Sequence, residues 1–144
     1  MRRLLATSLV AGCILGLMAV TPIAAATRED VTIVVTTTFD GQPDTFTADG
    51  VLGCEAGGLV YEGPAHLQFA PRMGIYAGFK EFDCGNDTGF VIRLNARFGS
   101  DGSTGTWTVV RSWGQVAGLH GAGKLSGEPF EGGITDTYVG TVTH

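Results

Sequence analysis

Charge is scarce in this chain of 144 residues, with 9 basic and 14 acidic side chains. Cysteine and histidine occur 3 times each, with no Cys-x-x-Cys and no two histidines at ligand spacing. These shortages exclude functions in turn. The length holds one ordinary domain, which rules out a multidomain enzyme. Beyond residue 26, 7 basic face 14 acidic side chains, a net charge of −7 that disfavours nucleic acid and anionic membrane as partners. The scattered His66, His120 and His144 imply no metal, and nothing in the sequence implies a cofactor. Nucleophile and nucleotide signatures are missing too. Ser112 in Val110-Arg111-Ser112-Trp113-Gly114 lacks the first glycine of a Gly-x-Ser-x-Gly elbow, and the glycine-rich Gly118–Gly123 is not followed by a helix. Asp83, Asn86, Asp87 and Asp101 supply turn oxygens for at most a weak calcium site, in loops unlike an EF-hand.

What is present begins with an export signal. Arg2 and Arg3 precede the apolar run Leu4–Val20, and Ala24, Ala25 and Ala26 supply the small residues of a cleavage site. The expectation is a secretory signal peptide over residues 1–26 and one domain over 27–144, destined for the extracellular space. Two alternatives stand beside cleavage after Ala26: a retained anchor over Leu4–Ala26, and a lipoprotein acylated at Cys13 in Val10-Ala11-Gly12-Cys13. After cleavage at Ala26 no membrane contact is expected. Cys54 and Cys84 then form an even pair in an oxidising compartment, which reads as one disulfide. Asn86-Asp87-Thr88 fits a glycosylation acceptor and, equally, a turn.

From residue 27 onward there are 15 Thr and 21 Gly but only 6 Leu and 8 Ala, a balance favouring pleated strands and tight turns. Phe90, Ile92, Leu94, Ala96 and Phe98 alternate with Val91, Arg93, Asn95 and Arg97, a period of two that no helix produces. Similar patterns predict strands near Val31–Phe39, Phe46–Leu52, His66–Phe69, Ile75–Cys84, Gly105–Trp113, Gly123–Ser126 and Ile134–Val142. Leu59–Glu62 is a further candidate, and Gln115–Leu119 is the one stretch suited to a helical turn. Short Gly-, Asp- and Asn-bearing gaps make neighbours antiparallel. The expected fold is all-β, a small antiparallel barrel of about eight strands, with a two-sheet β-sandwich as the alternative.

Gly105-Thr106-Trp107-Thr108-Val109-Val110, followed by Gly114–Leu125, resembles a recurring pattern in small secreted bacterial β-barrels similar to the allene oxide cyclase and dirigent superfamily. The resemblance implies that this stretch forms barrel wall around an interior able to hold an apolar ligand. It carries no active-site residue over to this chain, and many such barrels have no assigned activity.

Strand parity supplies the candidate site. In Ile134–Val142, Asp136 shares the face of Ile134, Tyr138 and Val142; in Gly105–Trp113, Arg111 shares that of Trp107, Val109 and Trp113. Glu81 follows Ile75, Ala77 and Phe79, with Gly78 loosening the phase. An interior acid and base are costly unless paired, so unbroken strands predict an interior cluster of Arg111, Asp136 and Glu81. Three readings remain open: a structural ion pair, a β-bulge that turns these charges to water, and a ligand site in which Trp107, Trp113 and Tyr138 cover the apolar part. His120, in a glycine turn, reads as a solvated loop residue or a general base. The functional expectation is a small, mostly apolar ligand bound inside the barrel. A cyclase- or isomerase-type enzyme using Arg111 and Asp136, and an extracellular interaction module using loops Asp40–Asp44 or Gly127–Gly133, are the alternatives.

Overall fold

The computed structural model describes residues 27–144. The proposed signal peptide, its cleavage point and Cys13 lie outside the described residues. Eight strands follow one another: β1 (Arg28–Thr38), β2 (Asp44–Asp49), β3 (Gly58–Ala70), β4 (Met73–Gly85), β5 (Thr88–Gly99), β6 (Gly102–Trp113), β7 (His120–Phe130) and β8 (Gly133–Thr143). Each pairs antiparallel with the next, and β8 returns to β1, closing an up-and-down barrel. The β-sandwich alternative is therefore set aside. A 3-10 turn at Gly114–Val116 is the helical element among the described residues, within the region where the sequence allowed one.

Closure follows from the alternation. Val31, Ile33 and Val35 on β1, Phe46 and Ala48 on β2, and Phe90, Ile92, Leu94 and Ala96 on β5 are all buried and project inward. Cross-strand partners share a face, so register carries the inner face around the barrel: Val35 opposes Phe46 and Asp136, and Leu94 opposes Gly78 and Trp107. Gly123 and Gly140 make room for one large side chain. A Cβ at either would lie within 2.7 and 2.8 Å of the Trp107 indole, respectively.

Two strands depart from ideal pairing. The Leu59–Glu62 and His66–Phe69 segments, separate in the sequence pattern, form one strand, β3, with a register shift against β4 between Glu62 and Ala65. β2 is short and pairs with β3 only at Val60, Leu59 and Gly58. From Tyr61 to Ala70, β3 therefore has a strand on one side only, and Pro64 lies on this open edge.

The two ends of the barrel differ. At one end the β2–β3 loop is tied to β4 by the Cys54–Cys84 disulfide, with a Cα–Cα distance of 5.0 Å. The buried Val51, Val116 and Leu119 pack there with Val31 and Val142. Beneath them Phe82 stacks on Phe90 with ring centroids 4.7 Å apart, and meets Phe46 and Tyr138 edge-on at 5.1 and 6.0 Å. At the opposite end lie the short turns Pro71–Arg72, Ser100–Asp101 and Glu131–Gly132, together with the β1–β2 loop.

Candidate functional site

A cavity of about 310 Å³ opens at the short-turn end. Phe39, Leu94, Ala96, Phe98, Leu125 and Ile134 give it apolar walls, and Glu62, Tyr76, Lys80, Ser103 and Asp136 give it polar ones. A broader groove of about 680 Å³ lies at the turns Pro71–Arg72 and Ser100–Asp101 and shares Phe98 with the cavity; it gathers no ion pair.

The polar side chains fall into two groups. Lys80, buried on β4, opposes Glu62 on β3, and its Nζ lies 2.8 Å from Glu62 Oε1. Tyr76 donates its hydroxyl to Glu62 Oε2 at 2.6 Å. Both oxygens of Glu62 are thus occupied, while the residue remains half-exposed at the open edge of β3. Burial, reinforced by the hydrogen bond to Glu62, pushes the Tyr76 phenol well above its usual range, so it stays protonated and donating.

The second group is on β6 and β8. Ser103 donates to Asp136 Oδ1 at 2.8 Å, and among the described residues no donor reaches Oδ2. Burial raises the Asp136 carboxyl above its ordinary range, and Glu62 and Asp44 add to the rise, while Ser103 and the Lys80 charge oppose it. Asp44 shares the inward parity of Phe46 and Ala48 and accepts the Thr37 hydroxyl at 2.7 Å. One layer deeper, the fully buried Tyr138 has a hydroxyl with no hydrogen-bond partner. Its phenol is raised mainly by burial and next by Asp136, with Glu62, Tyr76 and Asp44 contributing.

The sequence-predicted site is divided by the barrel wall. Asp136, Trp107 and Tyr138 are inside. Trp107, however, fills the wall below the cavity and donates Nε1–H to the Lys124 carbonyl at 3.2 Å. Arg111 and Glu81 are outside, correcting the expected interior cluster. The β5–β6 register shifts between Val91 and Ile92, which oppose Arg111 and Val109, leaving Val110 as an extra residue that reverses the phase. The Arg111 side chain is 65% exposed and reaches Glu81 at 3.1 Å across Val91. Trp113 lies on the same outer face, its ring 5.1 Å below the Arg111 guanidinium. Glu81 shares the parity of Ile75 and Phe79, which face out; Tyr76, Lys80 and Phe82 are the inward set of β4.

Lys80, Glu62, Tyr76, Ser103 and Asp44 went unnoticed in the sequence reading. The signal for most of them was parity with an unambiguous core residue: Lys80 and Tyr76 with Phe82, Asp44 with Phe46, Ser103 with Trp107. Among the described residues no group of three His, Cys, Asp or Glu is placed to hold a metal ion. No helix there is long and apolar enough to cross a membrane. No protein-family model matches the chain, and no curated protein matches it.

Chemically, the arrangement can hold a small molecule with an apolar body against Leu94, Phe98 and Leu125 and a polar end near Asp136. The rim is prepared for apolar contact as well. Phe39 and Phe69 are 74% and 76% exposed, and Phe69 packs edge-on against Phe98 at 5.9 Å. The loop carrying Phe39 is ordered by Asp40. Its Oδ1 accepts the Thr38 hydroxyl at 2.6 Å and the Gln42 N–H at 3.0 Å, and these bonds hold the carboxyl below its usual range.

Proposed function

We propose that this protein is an exported β-barrel that binds a small, mostly apolar ligand inside the barrel, without a cofactor. The observation that carries this reading is the cavity of about 310 Å³, open at one end and lined by both apolar and polar side chains. Ligand sites typically combine an apolar lining with a few placed polar groups, and eight-stranded barrels have interior room for one small molecule. Export is supported by the Cys54–Cys84 disulfide together with the Arg2–Ala26 pattern. Likeness to the allene oxide cyclase and dirigent barrels is part of the same reading, supported by the eight-strand closure and by Gly105–Val110 forming wall in β6.

The cyclase-type alternative lacks its electrostatic partners, since Arg111 and Asp136 lie on opposite faces of the wall. The interaction-module alternative draws on the exposed Phe39 and Phe69, which the ligand reading uses as the lip of the mouth.

Native mass spectrometry of the protein purified from its own culture medium, before and after denaturation, tests the proposal. A small molecule released on unfolding by wild type, and absent from Ala96→Phe, which fills the cavity, is the expected result. Equal recovery of the molecule from wild type and Ala96→Phe overturns it.

A further inference from the structure

The ligand's polar end can be specified from the unused hydrogen-bonding capacity around the cavity, an inference that rests on the binding reading above. Glu62 has both oxygens occupied, by Lys80 and Tyr76. Asp136 accepts one hydrogen bond, on Oδ1, leaving Oδ2 without a donor. Tyr138 is 0% exposed and its hydroxyl has no partner. Its ring meets Phe82 edge-on on the packed side, and Tyr138 follows Asp136 by two residues on the inward face of β8. Of the two, Asp136 lines the cavity, and its free Oδ2 can accept a hydrogen bond, so this wall suits a donor.

Charge selects among donors. Three carboxylates, Asp44, Glu62 and Asp136, act on this region against a single ammonium, Lys80, whose charge is already matched by Glu62. The carboxylates are too dispersed for a metal ion. The turns at the mouth repeat the imbalance, with Asp40, Asp101 and Glu131 against Arg72. An acidic lip over a low-dielectric pocket concentrates cations and repels anions.

We propose that the barrel cavity selects amphipathic amines: the protonated amine donates to the free oxygen of Asp136, and the apolar tail lies against Leu94, Phe98 and Leu125. A tail of roughly eight carbons suits a pocket at the small end of the range for ligand sites. The ammonium satisfies the acceptor that the protein leaves open on Asp136, and its charge offsets the excess of carboxylate. A carboxylate-headed lipid of equal length would instead place a fourth anion in the same region.

The test is calorimetric titration of the intact, disulfide-bonded protein with octylammonium, octanol and octanoate at neutral pH. Octylammonium is expected to bind at least tenfold more tightly than octanol, with octanoate weakest. Asp136→Asn should remove most of the amine's advantage while leaving octanol affinity within twofold. Octanol or octanoate binding as tightly as the amine overturns the amine selectivity and leaves the cavity reading standing. Binding of none of the three overturns both. An amine advantage unchanged in Asp136→Asn overturns the assignment to that carboxylate.

Discussion

The two ends of this barrel are made from the same alternating strands yet solve opposite problems. The disulfide end is filled by Phe46, Phe82, Phe90 and Tyr138 and covered by Val51, Val116 and Leu119. The short-turn end keeps a cavity and surrounds it with Lys80, Glu62, Ser103 and Asp136. Stability is therefore concentrated at one end and chemistry at the other. Substitutions should separate the two.

The largest contrast is expected from truncating an aromatic at each end. Phe82→Ala should cost about 3–5 kcal/mol, as large buried truncations do. Phe39→Ala, at a side chain 74% exposed, should change stability by less than about 0.5 kcal/mol. Urea unfolding of both variants measures this, and equal costs would break the division. Next comes the disulfide. Replacing Cys54 and Cys84 together by Ser should remove roughly 3–4 kcal/mol, the chain-entropy value for a loop of about 30 residues. Octylammonium affinity at the other end should meanwhile hold within a few-fold.

Smaller effects probe the polar end. Glu62→Gln leaves the buried Lys80 ammonium without its carboxylate. The cost should be about 1–2 kcal/mol, below that of a fully buried pair because Glu62 is half in water. A Lys80→Met, Glu62→Leu double variant should recover most of it. Asp136 supplies a pH signature. Its native carboxyl is raised above the ordinary 3.8 chiefly by burial, so the folded protein holds the proton more tightly than the unfolded chain. Stability from this group is full below that ordinary value and falls as pH rises from it through the raised native value. Ser103 on β6, Lys80 on β4, Glu62 on β3 and Asp44 on β2 set its position, and Asp136→Asn should remove this component from the difference between the two urea profiles. The smallest effect is expected outside the barrel, where Arg111→Ala should shift stability by no more than about 0.5 kcal/mol despite its contact with Glu81.

The fold was legible in the sequence because β5 and β1 keep their alternation over most of their length. Phe90, Ile92, Leu94 and Ala96 point inward as their spacing predicts, and the Cys54–Cys84 pair closes as its compartment suggested. The site was legible only in part. Asp136 sits on an unbroken β8, so parity placed it correctly. Arg111 follows the extra Val110, and a one-residue insertion is invisible to a period-two argument. On β4 the failure had another cause. Ile75 and Phe79 are apolar yet face out, while Lys80 faces in, because a barrel with polar groups inside inverts the usual sorting on the strand that supplies them. Phe82 would have given the right phase.

The half-paired β3 has a consequence of its own at high concentration. From Tyr61 to Ala70 its outer edge offers backbone groups that another sheet could extend, the hazard that closed barrels otherwise escape. Pro64 withdraws one N–H from that edge, and the register shift between Glu62 and Ala65 interrupts its regular spacing. The same irregular segment that leaves the wall incomplete thus discourages edge-to-edge assembly, so the protein can keep an opening beside its cavity without seeding a fibre.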